Sequence, residues 1–299
     1  MQETSREEFR NVYGSGLRLT YKVRAYRERV LPLAPPGPLE ERLELVRGVG
    51  PKAREALAAQ GYRTIAELAG HPRYGRHAGR VFSALASRNV PELLRAGARD
   101  IELAPLFSRD EFAVIDIETA GLWQVLPVFL IGVGFDLGGE WEIRQYLARS
   151  FEEEAAILHE AIEALDGRSV CVTYNGKAFD EPFVRARLAL HGIRPLRFRL
   201  HIDLLHSCRR SLGAVLPDCK LATVGEFALG MARPGDVPGS LVPDLYFRFV
   251  RDGDWSAVEP VLRHNAWDLA ALCRLLDAGG VEGRPAGSAR QAVGEGDRA

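Results

Sequence analysis

Apolar and polar positions change their period part-way along this chain, at about residue 111. Residues 1–30 show no clean period: Tyr13, Tyr21 and Tyr26 stand among Arg18, Lys22, Arg24, Arg27 and Arg29. That mixture reads as a surface segment, or alternatively as an arm that contacts nucleic acid. Pro32, Pro35, Pro36 and Pro38 then predict a stiff linker. Helical spacing follows. Leu43 and Val46 predict one helix, Gly48-Val49-Gly50 a tight turn, and Pro51 the first turn of a second helix running through Lys52 to Gln60. Gly61 is its C-cap, and residues 64–69 make a further short helix. Residues 70–110 read as helical, with basic patches at Arg73, Arg76, Arg80 and Arg88 and interruptions at Pro91 and Pro105.

From Glu111 the pattern becomes that of strands. Residues 112–119 carry Ala113, Val114, Ile115 and Ile117 on both faces, as in a strand covered on both sides. Residues 127–135 form a second apolar run, Gly138-Gly139 signals a hairpin, and 141–147 is a third strand, so antiparallel pairing is expected. Residues 151–165 have helical spacing behind a Ser150 N-cap, 169–174 is a fourth strand, and 178–191 is helical. The remainder to about 278 is mainly helical, with a loop at 233–243. The Gly-, Ala- and Arg-rich tail from Gly279 reads as disordered. These elements predict an arm and linker over 1–38, a helical module over 39–105, an α/β domain over 106–278 and a tail over 279–299.

Composition narrows this little. A hydrophobic share of 46% in 299 residues suffices for one large core or two modest ones. A net charge of −1 excludes a basic nucleic-acid coat, so any such binding must use local patches. Cys171, Cys208, Cys219 and Cys273 form no Cys-x-x-Cys pair, and no His/Cys cluster has zinc spacing. With no apolar signal segment and no run of membrane-spanning length, a cytoplasmic protein with reduced thiols and no membrane partner is expected.

The candidate chemistry lies in three acidic stretches. Asp116 and Glu118 end the 112–119 strand, and alternate residues project from one face. Two such anions repel unless a cation sits between them, and hard divalent ions take carboxylate oxygens. The second stretch, Tyr174-Asn175-Gly176-Lys177-Ala178-Phe179-Asp180, lies where a strand hands over to a helix. The macrodipole there favours Asp180 as a cap or as a ligand. In the third, Val261, His264, Asp268 and Leu275 share one helical stripe. A carboxylate on that stripe must be neutral, bound to metal or paired with an arginine.

Taken together, Asp116-x-Glu118, Asn175 with Phe179-Asp180, and His264 with Asp268 resemble the three exonuclease motifs of the DEDD superfamily. Residues 111–277 resemble its YprB-like branch more closely, through His201-Ile202-Asp203-Leu204-Leu205-His206, Asp236-Val237-Pro238-Gly239 and His264-Asn265. The resemblance implies a ribonuclease H-like mixed sheet flanked by helices, with Asp116, Glu118, Asp180 and Asp268 holding two Mg²⁺ or Mn²⁺ ions. In two-metal chemistry one ion activates water and the other stabilises the leaving oxygen, about 3.5–4 Å apart. Oxygen-only ligation selects these ions over zinc. Proofreading members carry as general base a tyrosine four residues before the last acid or a histidine five before it. Here His264 stands four before Asp268, and Asn265 is the alternative water-orienting group. His201 and Asp203 are lesser candidates for the base, Asp203 serving better as a helix cap.

Residues 46–57, Val46-Arg47-Gly48-Val49-Gly50-Pro51-Lys52 onward, resemble the helix-hairpin-helix motif. The resemblance implies that Gly48, Val49, Gly50 and Lys52 take a backbone phosphate at a helix N-terminus, and the bare Gly-x-Gly turn and the helix dipole agree. Thr119, Asn175 and Phe179 are the nucleic-acid-facing candidates beside the acids. The expected protein is thus a smaller all-α helix-hairpin-helix module followed by a ribonuclease H-like α/β domain. The expected activity is 3′→5′ exonuclease on single-stranded ends, DNA in preference to RNA. A structure-specific endonuclease and a binding protein with an inactive nuclease scaffold are the alternatives, and the sequence leaves a helicase or repair partner open.

Overall fold

The structure, a computed structural model, describes residues 2–26, 31, 33–34 and 37–279. The expectations for Pro32, Pro35, Pro36, Arg27, Arg29 and the tail from residue 280 fall outside the described residues. Two compact units are present. One contains the described residues up to Leu33 and those from Arg109 onward, and the other spans Ala34–Ser108.

The first unit begins with strands β1 (Gln2–Asn11) and β2 (Gly14–Arg24), paired antiparallel. This corrects the expectation of an aperiodic surface segment over residues 1–30. β2 does alternate: Leu17, Leu19, Tyr21 and Val23 are buried while Lys22 and Arg24 are exposed. β1 shows no such alternation because most of its residues are solvated, and the two strands read together look random.

The second unit holds α1 (Pro51–Ala59), α2 (Ile65–Leu68), α3 (Gly75–Ala86) and α4 (Val90–Arg95). Thr64 caps α2 by accepting from Glu67 N, while the Glu67 carboxylate accepts from Thr64 N. The helix expected through Leu43 and Val46 is absent. Two 3₁₀ turns, Leu39–Glu41 and Leu43–Leu45, replace it. Arg42 between them has ψ 73° and Val46 is already extended, so an α-helical ladder cannot propagate. Gly48 has φ +89°, a value open to glycine at little cost, and Gly50 is the extended residue before α1.

Back in the first unit, β3 (Phe112–Thr119), β4 (Val128–Asp136) and β5 (Glu140–Leu147) form the expected antiparallel run. α5 (Glu154–Ala164), β6 (Val170–Thr173), α6 (Asp180–Leu190), β7 (Leu200–Asp203) and α7 (Leu204–Leu212) follow. α8 (Leu221–Leu229), α9 (Val242–Asp252) and α10 (Trp255–Ala278) complete it. The seven strands make one mixed sheet in the order β1-β2-β5-β4-β3-β6-β7, with β6 and β7 parallel to β3. β7 is a four-residue strand that periodicity missed, being too short for alternation to register. No helix among the described residues is long and apolar enough to cross a membrane.

α10 packs on β3, β4 and β5. It comes close because β4 presents Gly132 and Gly134 beneath it. A Cβ at Gly132 would stand 2.3 Å from Leu269 Cδ1 and 2.5 Å from Asn265 Oδ1. Replacing Gly132 with alanine should therefore push α10 off the sheet and lower stability by about 1–3 kcal/mol, the usual cost of overpacking. A urea unfolding midpoint equal to that of the wild type would contradict this packing.

Candidate active site

The site is built on a row of three residues across neighbouring strands. Asp116 on β3 pairs with Gly132 on β4, and Gly132 with Gln145 on β5. Residues directly opposite share a face of the sheet. Asn265 of α10 sits over the glycine and reaches both sides. Its Nδ2 donates to Asp116 Oδ2 at 2.7 Å, and its Oδ1 accepts from Gln145 Nε2 at 2.7 Å. The same Gln145 nitrogen donates to the Leu262 carbonyl at 2.8 Å. Gln145 and Asn265 are fully buried, so these bonds lie away from solvent.

This clasp fixes which part of α10 faces Asp116. His264 precedes Asn265, and Asp268 lies one turn beyond His264 on the same helix face. Asp180 comes from the other side, as the first residue of α6. Its Oδ1 accepts from Ile117 N at 3.2 Å, which ties the start of α6 to β3 between the two strand acids. Asp203 caps α7 by accepting from Leu205 N at 3.1 Å and also accepts from Asn175 N at 2.8 Å. It thus pins the loop that delivers Asp180. His201 Nε2 lies 2.9 Å from Thr173 Oγ1, a contact between β7 and β6. Asn175 adopts φ +65° and is exposed, Phe179 packs on Phe183, and Thr119 Oγ1 donates to the Gly121 carbonyl.

Asp116, Glu118 and Asp180 each feel the charge of Asp268. Burial, then the charges of Asp268, Asp180 and Glu118, push the Asp116 carboxyl well above the usual carboxylate range. Glu118 is raised well above its ordinary value by burial and by Asp268, Asp180 and Asp236. Asp180 is pushed up to about 7, chiefly by burial and against the backbone bond from Ile117. A protein that crowds carboxylates in this way needs positive charge there.

Part of that charge comes from Arg233, in the loop between α8 and α9. Its Nη1 donates to Asp268 Oδ1 at 2.6 Å and lies 3.6 Å from Asp236 Oδ2. Asp236 also meets His264, Oδ1 to Nδ1 at 2.7 Å, while His264 Nε2 is 3.4 Å from Asp268 Oδ2. The arginine pairing weighed for Asp268 from the sequence is therefore present. Asp236 stood in the Asp236-Val237-Pro238-Gly239 stretch without an assigned role, and Arg233 escaped the motif reading because it sits in an irregular loop with no period.

No group of three His, Cys, Asp or Glu among the described residues is drawn together as a ready metal cage. The donor chemistry nonetheless fits a hard divalent ion: the carboxylates are oxygen donors, they crowd one another, and no thiolate is placed among them. Asp116, Glu118, Asp180 and Asp268 are the residues that would hold it. In the helical unit, Val49 is buried, Lys52 is exposed, and Gly48 and Gly50 flank the start of α1.

Residues 113–279 match the RNase_H_2 family model, described as RNase_H superfamily. The chain belongs to the RNase_H superfamily. It is 33% identical over 178 residues to uncharacterized protein YprB of Bacillus subtilis (strain 168), covering 56% of this chain and 42% of that protein. It is also 28% identical over 185 residues to uncharacterized protein MJ0365 of Methanocaldococcus jannaschii, covering 57% of this chain and 98% of that one. The chain thus spans under half the length of the YprB relative. Among solved structures, the family B DNA polymerase from Pyrobaculum calidifontis aligns with a TM-score of 0.44 and 18% identity, over 56% of this chain and 24% of the polymerase.

The raised Asp180 has a consequence for stability. An acid whose folded pKa exceeds its unfolded value of about 3.9 binds its proton more tightly when folded. Its contribution is fully present below that unfolded value and is lost as pH rises through about 7. In chelator, Asp180→Asn should therefore melt higher than wild type at pH 8, with the gap closing toward pH 4. A gap that widens on acidification would refute the assignment.

Proposed function

We propose that this protein is a metal-dependent nuclease that hydrolyses phosphodiester bonds as a 3′→5′ exonuclease on single-stranded ends, with DNA preferred. The observation that carries the reading is the crowding of Asp116, Glu118, Asp180 and Asp268, from β3, α6 and α10, into one mutually repelling set. The superfamily membership supports it, as does the resemblance of the three acidic stretches to exonuclease motifs. Divalent ions held by these four acids would supply the charge that stabilises a developing oxyanion and the activation of water.

The chain's own residues have distinct parts. Asn265 holds Asp116 through Oδ2 and leaves Oδ1 for the site. The bond from Ile117 N orients Asp180 in the same way. Asp236 accepts from His264 Nδ1, which leaves Nε2 as the nitrogen able to take a proton from water. Asp236 is then a positioning residue for the base. Thr119, Asn175 and exposed side chains of the loop after β3, Leu122 and Trp123, would receive the bases of a single strand. In the helical unit, Gly48, Val49, Gly50 and Lys52 would take a backbone phosphate at the start of α1, as in a helix-hairpin-helix. The free thiols fit a cytoplasmic setting. The Arg233–Asp268 ion pair favours one second reading, an inactive nuclease scaffold used for binding.

Labelled linear DNA, linear RNA and circular single-stranded DNA, each with Mg²⁺ or Mn²⁺, separate these readings. Cleavage confined to linear DNA, proceeding from the 3′ end, is expected. Cutting of the circle would establish endonuclease action, and no turnover by folded protein would favour the scaffold. Asp116→Asn should abolish cleavage, and His264→Ala should slow it by roughly 10²–10⁴-fold. Full activity in either would remove that residue from its role. Lys52→Ala should weaken binding at all sequences and flatten log Kd against log salt by about one unit of slope; an unchanged slope would take the phosphate contact away from α1.

A further inference from the structure

A buried cation with more donors than acceptors marks a place where a partner is missing. Arg233 is such a cation, with 6% of its side chain exposed. Nη1 is engaged with Asp268, but Nε and Nη2 meet no acceptor among the described residues. A guanidinium presents its donors as a planar fork suited to a pair of phosphate or carboxylate oxygens. Here a single carboxylate oxygen takes one prong, and the rest of the fork points at nothing. The fork lies beside Asp268, whose charge Asp116, Glu118 and Asp180 all feel.

Arg233 also sits on irregular backbone, held locally by the bond from Asp236 N to its carbonyl at 3.2 Å. Residues 230–238 join α8 to a 3₁₀ turn at Gly239–Leu241 without helix or strand, and Gly235 takes φ +71° within them. A shift there would break no ladder of backbone bonds.

We propose that Arg233 is a resident counter-cation for Asp268 that exchanges places with a divalent ion. It yields the carboxylate when the ion binds, and its fork then takes a phosphate oxygen of the nucleic acid. The inference rests on the metal-dependent reading above. It follows from the charge balance: a guanidinium and a divalent ion cannot both contact Asp268 Oδ1 without strong mutual repulsion. A displaced guanidinium beside a phosphate offsets that phosphate's charge, and a permanent structural ion pair would leave two donors unmet in every state.

The test is direct Mn²⁺ binding, followed by electron paramagnetic resonance on wild type, Arg233→Gln and Asp116→Asn without nucleic acid. Losing a charge-assisted competitor should tighten Mn²⁺ binding by Arg233→Gln about tenfold, and at saturating Mn²⁺ the same variant should bind a phosphorothioate oligonucleotide about tenfold more weakly. Unchanged or weaker Mn²⁺ binding by Arg233→Gln, with Asp116→Asn impaired, would overturn the exchange and leave the metal reading intact. Asp116→Asn binding Mn²⁺ like wild type would overturn both. Unchanged oligonucleotide affinity would overturn the phosphate half. Should Arg233→Gln not fold, wild type labelled with ¹⁵N at arginine answers the same question. Mg²⁺ should shift the Arg233 Nε resonance, identified by its loss in Arg233→Lys, and a resonance unmoved by Mg²⁺ would overturn the proposal.

Discussion

The site depends on one small clasp, the Asn265 side chain laid over Gly132 between Asp116 and Gln145. Its atoms join α10 to the row that crosses β3, β4 and β5. A buried amide bonded on both sides is directional, whereas the apolar contacts around it would tolerate a helix slid by part of a turn. The register of α10 on the sheet, and hence the position of His264 and Asp268, follows from those bonds. Gly132 is the permissive half of the device, since any side chain there would occupy the amide's place.

Around the clasp, the local structure of each acid serves the same end. Asp116 and Glu118 alternate out of a strand that is otherwise apolar on both faces. Asp180 opens a helix, where unpaired backbone donors and the dipole favour its charge. Asp203, itself a cap, anchors the loop before it. These groups are costly to assemble: burial and neighbouring carboxylates raise the proton affinity of Asp116, Glu118 and Asp180, and Arg233 offsets part of the charge. Function and fold stability pull against each other at this point, and the apolar packing of α10 on β3–β5 is what carries the difference.

Much of this was legible in the chain. The β3–β5 meander followed from continuous apolar runs and Gly138-Gly139, and Asp203 as a cap followed from its place before a helix. The local elements of the acids were legible too: a strand end for Asp116 and Glu118, a helix start for Asp180 and a helix for Asp268. Three features were not. The β1–β2 hairpin was hidden because β1 lies at the edge of the sheet and stays mostly wet. The first half of the glycine turn motif looked helical because Leu43 and Val46 are spaced for a helix, but Arg42 breaks the backbone between two 3₁₀ turns. Arg233, and the part Asp236 plays beside it, come from a loop whose path depends on tertiary contacts, and no period announces them.

The hairpin changes how the chain must be divided. β2 lies along β5, from Leu17 beside Leu147 to Arg24 beside Glu140, so the helical unit interrupts the sheet-forming chain between its second and third strands. A fragment cut at the start of the α/β pattern would strip β5 of its neighbour. The whole length of that strand, with Trp141 and Ile143 at its core, would become a bare margin of unpaired amides and carbonyls open to other molecules. The opening residues of the chain are thus the selvedge that keeps the nuclease-like sheet from unravelling into its neighbours.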